Sequence, residues 1–106
     1  RKIKVMIYKD KIASSKECYD AICGLKADEM IKVQYGTGYK GKPNYYHIKA
    51  YWSKYSKEMT YSIWTGHAGM NIDKLSKTTA YAYSYDMMSQ KTTWKFKLNE
   101  MKIVSE

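Results

Sequence analysis

The chain has 106 residues, 19 basic and 10 acidic side chains, and a formal charge of +9 at pH 7. This length predicts one domain with a single core over 1–106, and because 12 Tyr, 3 Trp and 7 Met supply apolar surface, we expect a folded, basic, tyrosine-rich domain. No apolar run approaches the roughly 18 residues of a membrane span, so a membrane is not an expected partner.

The first predicted elements are a strand and the main helix. Residues 1–7 have apolar side chains at every second position, which predicts a strand. Ser14 and Glu17 have the spacing of a capping box and predict a helix over about 15–23. We expect Gly24 to end this helix in the left-handed conformation, with Leu25 in apolar contact behind it. The predicted inner face of the helix carries Cys18, Tyr19 and Ile22.

Five more strands are predicted from alternation with a period of two. The apolar positions of four of them are Ile31, Val33 and Tyr35; Tyr46, Ile48, Ala50 and Trp52; Met59, Tyr61 and Ile63; and Trp94, Phe96 and Leu98. In the strand over 79–85, tyrosines alternate with small residues, and either face can be the buried one. Residues 71–77 are interpreted as a short helix or turn, and 101–104 as an extension or flank of the last strand. We therefore predict an α+β fold, a mostly antiparallel sheet of about six strands with one helix packed on one face.

The cysteine pattern predicts no disulfide and no metal site. Cys18 and Cys23 are the only cysteines, and their spacing places them roughly 140° apart around a helix. Side chains so far out of alignment cannot be bridged without moving the backbone. We interpret both as reduced thiols packed as small apolar groups, in a reducing, cytoplasmic compartment, with no metal or cofactor.

The turn-rich stretch 36–44 resembles two phosphate-contacting motifs. The spacing from Gly36 to Lys42 matches most of a P-loop, but Pro43 replaces the magnesium-binding hydroxyl and a strand follows, so we reject nucleotide hydrolysis. Lys40-Gly41-Lys42-Pro43 resembles the Arg-Gly-Arg-Pro core of AT-hook minor-groove binders, with both arginines replaced. This four-residue resemblance implies a basic loop whose lysines reach a phosphate backbone; a solvated hairpin loop is the simpler interpretation.

The stretch 30–57 contains six lysines, seven aromatic residues and no acidic residue. Because lysine attracts polyanions and aromatic rings stack on unpaired bases, this composition predicts binding to DNA or RNA. Because the chain has a single arginine, sequence-specific major-groove recognition is disfavoured. An AT-rich microbial or viral genome is an alternative explanation for the excess of lysine. The alternative is that tyrosines serve as strand formers and lysines keep the domain soluble. The candidate contact residues are Lys32, Lys40, Lys42, Tyr45, His47, Lys49, Tyr51, Lys54, Tyr55 and Lys57.

Two other function classes stay open beside this non-enzymatic, weakly sequence-specific nucleic-acid-binding protein. One is a protein-interaction or inhibitor module, which would bind an acidic protein through exposed aromatic residues. The other is a small basic ribonuclease of the toxin type, with His47 and His67 as base and acid and Lys49 stabilising the transition state. Two surface histidines without a catalytic role are the commoner case. The aromatic residues of the first alternative are Tyr45, Tyr51, Tyr55 and Trp64.

Overall fold

The sheet is assembled mainly from hairpins that follow one another in the chain. The computed structural model describes residues 11–12, 14–66 and 68–104, and the strand predicted within 1–7 lies outside them. The described strands have the order β1-β8-β2-β3-β4-β5-β6-β7 in one sheet, and each neighbouring pair is antiparallel. Their bounds are β1 Lys11–Ile12, β2 Met30–Thr37, β3 Pro43–Ser53, β4 Glu58–Trp64, β5 Gly69–Leu75, β6 Thr79–Tyr85, β7 Lys91–Lys97 and β8 Lys102–Val104.

The helix α1, Ser15–Cys23, begins with the predicted capping box. The Glu17 amide donates to Ser14 Oγ at 3.2 Å, and the Ser14 amide donates to Glu17 Oε1 at 2.8 Å. The predicted left-handed Gly24 is wrong, since its φ is −82°. Its amide donates to Asp20 O, and the Leu25 amide donates to Ile22 O, so the helix end tightens without a left-handed residue.

The core lies between α1 and the inner face of the sheet. Both the helix and the alternate strand positions contribute fully buried side chains, so the predicted α+β fold with a helix on one face is confirmed. The sheet has seven described strands of three or more residues besides the two-residue β1, where about six were predicted. The largest buried side chains are Ile22, Ile31, Ile48, Ile63, Leu98, Met101, Ile103, Val33 and Cys18.

The sheet curls so strongly that β7 packs against β2 and β3 across the inner side. In a flat sheet β2 and β7 would lie about 24 Å apart, because strands are spaced by about 4.8 Å. The ring centroids of Tyr35 and Phe96 are instead 5.2 Å apart, and those of Tyr46 and Phe96 are 5.5 Å apart. The Lys97 amide also donates to Tyr35 Oη at 2.9 Å. The outer face is therefore convex and points away from the helix.

The structure differs from the sequence-based predictions at residues 71–77 and in the exposure of Trp52, and it shows which face of β6 is buried. Residues 71–77 are not a helix or turn, because most of them belong to β5, whose period is broken by a register shift between Ile72 and Lys74. Trp52 lies on the predicted side of β3, paired with Met59, but it is near the end of the strand and 53% exposed. In β6 the small residues Ala80 and Ala82 are buried, so the tyrosines occupy the outer face.

The two thiols differ, which corrects the prediction that both are packed. Cys18 is buried and its Sγ donates to Met101 O at 3.6 Å, whereas Cys23 is exposed at the end of α1. Burial, followed by the nearby Glu17 carboxylate, raises the pKa of Cys18 to about 12.

Candidate nucleic-acid interface

The outer face carries the polar and aromatic residues that alternate with the core. Paired residues on neighbouring antiparallel strands share a face, so Lys32 lies beside His47, and His47 beside Trp64. In the adjacent row Lys49 lies between Met30 and Ser62. We call the basic and aromatic members of this region the β3 patch, which comprises Lys32, Tyr45, His47, Lys49, Tyr51 and Trp64.

The β3 patch combines ammonium groups with accessible rings. The Lys32 Nζ lies 4.8 Å from the centroid of the Tyr45 ring, a cation–π distance. A shallow cavity of about 310 Å³ is lined by Met30, His47, Lys49 and Trp64. Tyr45 and Trp64 are each 46% exposed. A ligand on this face therefore meets positive charge and aromatic surface together.

Trp64 is held in a fixed orientation on this surface. Its Nε1 donates to Ser62 Oγ at 2.7 Å. Its ring also covers Gly69, the residue opposite it on β5, where an added Cβ would lie 2.6 Å from ring atoms. Sequence reasoning placed Trp64 with the aromatic residues of a protein-interaction surface. Its position beside His47 required the strand register.

The remaining predicted contact residues lie at the two ends of β3. Lys40 and Lys42 belong to the connection before β3, in and after the 3-10 turn Tyr39–Gly41. The predicted Lys54, Tyr55 and Lys57 lie in the hairpin between β3 and β4, where Tyr55 is fully exposed. Since β3 has 11 residues, these two basic ends are separated by roughly 33 Å. The structure thus brings five of the predicted residues onto one face and divides the other five between its ends.

Among the described residues, the two strands that carry the lysines of the β3 patch, β2 and β3, contain no carboxylate. Glu58 lies at the start of β4 beside the hairpin. A salt bridge joins Lys16 Nζ to Asp20 Oδ2 at 2.7 Å, on α1. Lysines in excess over acidic residues on a chain of charge +9 attract polyanions from a distance.

The structure describes two of the three residues of the predicted ribonuclease site. His47 and Lys49 share the outer face of β3, but His67 lies outside the described residues. Across residues 14–66 and 68–104, no three His, Cys, Asp or Glu side chains are grouped as they would be to hold a metal ion. In the same part of the chain, no helix has both the length and the apolar composition needed to cross a membrane.

A second basic and aromatic cluster lies on β5 to β7, and sequence reasoning missed it as a site. We call it the β6 patch. The signal in the sequence was the alternation of tyrosine with alanine in 79–85, followed by alternating lysines in 91–97. The β6 patch comprises Lys74, Tyr81, Tyr83, Tyr85, Lys91 and Lys95.

Comparisons with protein-family models, with curated proteins and with solved structures found no match to this chain. The function is therefore inferred from the chemistry of the outer face.

Proposed function

We propose that this protein binds single-stranded nucleic acid through the β3 patch, with little sequence preference and without catalysis. The observation that carries the proposal is that the register places Lys32 in one row with His47 and Trp64, and Lys49 in the adjacent row. The two lysines belong to β2 and β3, which contain no acidic residue. Lysines attract and contact the phosphates, and rings stack on the bases.

The exposed rings favour a single strand over a duplex as the ligand. In a duplex the bases stack on each other, whereas a single strand presents free base faces to aromatic side chains on a sheet. Tyr45 and Trp64 are about half exposed on such a sheet. Lysine acts as a point charge and does not read base edges in a fixed bidentate geometry, so we expect weak sequence preference.

The proposal is tested by titrating labelled single- and double-stranded oligonucleotides at several salt concentrations. If about four or five lysines contact phosphates of a single strand, log Kobs falls with log salt with a slope of about −3 to −3.5. Single strands are expected to bind more tightly than duplexes. A dissociation constant near 10⁻⁴ M or weaker at physiological salt, the weak end of non-specific attraction, would contradict the proposal.

Two matched pairs of variants separate charge from stacking. Lys49→Ala should weaken binding to all sequences and reduce the slope by about 0.7, whereas Lys77→Ala removes the same charge beside α1 and should have little effect. Tyr51→Ala should cost roughly 1–3 kcal/mol of binding free energy with little change in slope. Tyr51→Phe keeps the ring and should bind as the wild type does. Binding that is insensitive to both Lys49→Ala and Tyr51→Ala would exclude the β3 patch.

A further inference from the structure

The β6 patch repeats the composition of the β3 patch on separate strands. Tyr81 lies between two lysines of neighbouring strands, with Lys74 Nζ and Lys95 Nζ each 5.9 Å from its ring centroid. The Lys91 Nζ lies 4.8 Å from the Tyr83 ring. Each ring of this pair thus has at least one ammonium group beside it, as Tyr45 has in the β3 patch.

A second cavity lies at the β6 patch and is nearly equal in size to the first. It measures about 320 Å³ and is lined in part by Lys74, Tyr81, Tyr83 and Lys95. Asp73 is the acidic side chain in its lining, so the lysines outnumber the carboxylate. Its volume is near the lower limit of small-ligand sites, about 300–1,000 Å³.

The two patches lie on one continuous face. Lys49, Ser62, Asn71 and Tyr83 are successive paired residues on β3, β4, β5 and β6, so they form one row across the sheet. At about 4.8 Å a strand, Lys49 and Tyr83 are about 14 Å apart along the row. The residues between them are small and polar, and the buried Ser62 does not project above the surface. A flexible polyanion can pass from one patch to the other.

We propose that the β6 patch is a second contact site for the same nucleic-acid strand, which crosses the outer face transverse to the β-strands. This inference rests on the proposed function, because it assigns the second patch to the ligand of the first. Lys74, Lys91 and Lys95 contact phosphates, and Tyr81 and Tyr83 stack on bases. The patch is complementary in charge to a single-stranded polyanion, and its rings are spaced at strand intervals.

Oligonucleotide length provides the test. Because a strand rises by at least about 3.4 Å per nucleotide, about four nucleotides already reach across the roughly 14 Å between the patches. The short probe therefore has about 2 nucleotides and fills one patch, so up to two such strands bind per protein. A strand of about 16 nucleotides spans both patches, so one binds per protein, and more tightly. Binding is measured by fluorescence anisotropy for affinity and by calorimetry for stoichiometry.

Variants of the β6 patch should affect the two lengths differently. Tyr81→Ala should weaken binding of the long strand about five- to hundredfold and reduce the stoichiometry of the short strand from two to one. Lys95→Ala, at an exposed position, should reduce the salt slope of the long strand by about 0.7. Tyr81→Phe and Lys77→Ala are the matched controls, and melting temperatures verify folding.

The outcomes separate this inference from the function on which it rests. If Tyr81→Ala and Lys95→Ala bind the long strand as the wild type does while Tyr51→Ala weakens it, the second site is excluded and the β3 patch stands. If Lys49→Ala and Tyr51→Ala also have no effect, the proposed function itself is wrong.

Discussion

Lysine and tyrosine side chains on the outer face act as pairs that carry charge and a stacking surface together. The Lys32–Tyr45 and Lys91–Tyr83 pairs each have an ammonium 4.8 Å from a ring centroid. Such contacts contribute about 0.5–1 kcal/mol at exposed sites and leave the charge available to a phosphate. Alternation in the sequence predicted Lys32 and Tyr45 as candidates. Their contact depends on the register between β2 and β3, which the connecting turn sets and alternation cannot give.

Gly69 is predicted to be required for the position of the Trp64 indole. In Gly69→Ala the new Cβ would lie 2.6 Å from the ring, so the indole must move and lose its hydrogen bond to Ser62. We expect a loss of about 1–3 kcal/mol in unfolding free energy from overpacking, together with weaker oligonucleotide binding. Urea denaturation and anisotropy titration measure the two effects.

Gly66→Ala is the control for this substitution. Beyond its chain neighbours, an added Cβ at Gly66 has no atom of the described residues within 4 Å, so stability and binding should be close to those of the wild type. Equal effects of the two substitutions would contradict the role assigned to Gly69.

Cys18 and Cys23 are predicted to differ in reactivity. Burial raises the pKa of Cys18 to about 12, and Cys23 is exposed. At mildly alkaline pH, an alkylating reagent should modify the exposed Cys23 and leave the buried Cys18 intact in the folded protein. Mass spectrometry should show one adduct in the native protein and two after denaturation. Native Cys23→Ser should show none, and fast labelling of Cys18 would contradict its burial.

The raised pKa of Cys18 also gives a pH dependence of stability. The folded state holds the thiol proton more tightly than the unfolded state, so the stabilisation is full below pH 9.0 and is lost as pH rises toward about 12. Cys18→Ala should remove this part of the alkaline decline in unfolding free energy, which urea titrations across that interval measure. An unchanged alkaline decline in Cys18→Ala would contradict the assignment.

At the scale of elements, local signals predicted α1 and most strands, and failed where backbone irregularities occur. The capping box at Ser14 fixed the start of α1, and strict alternation predicted β2 to β4, β6 and β7. β5 was missed because the register shift between Ile72 and Lys74 breaks its period of two. The end of α1 was predicted wrongly at Gly24, because a tight turn satisfies the last carbonyls without a positive φ.

The capping box is predicted to stabilise the fold without contributing to binding. Ser14→Ala removes the acceptor for the Glu17 amide and should lower the unfolding free energy by about 0.5–2 kcal/mol. Oligonucleotide affinity should not change, because α1 packs on the inner side of the sheet. Ser15→Ala, one position inside the helix, is the control and should be neutral or slightly stabilising. A similar loss in both variants would contradict the capping role.

At the scale of the whole molecule, the curl of the sheet separates a buried inner side from a convex outer side. Alternation predicted the two sides of each strand but not the curl, which depends on contacts between residues far apart in sequence. Phe96 makes these contacts with Tyr35 and Tyr46. The β6 patch was missed for the same reason, since its lysines and tyrosines come together only through the pairing of β5, β6 and β7.

Phe96 is predicted to be the main side chain that maintains the curl. Phe96→Ala should lower the unfolding free energy by about 3–5 kcal/mol, as expected for a large buried aromatic residue. Tyr35→Phe removes only the hydroxyl that accepts from the Lys97 amide and should cost about 0.5–1.5 kcal/mol. Urea denaturation measures both. A larger loss from Tyr35→Phe than from Phe96→Ala would contradict this ranking.

The most direct test of the outer-face site uses two tryptophans that report on opposite sides of the sheet. Trp64 belongs to the β3 patch, and Trp94 lies on the inner side, where it lines a cavity with Tyr46 and Phe96. Their indole N–H signals are assigned by Trp→Phe substitution and followed by NMR during titration with a single-stranded oligonucleotide. We predict that the Trp64 signal shifts and saturates, and that it moves further than the signal of Trp94, whose residue borders the β6 patch cavity from the inner side. A shift confined to Trp94, or saturable binding that leaves Trp64 unchanged, would contradict an outer-face site.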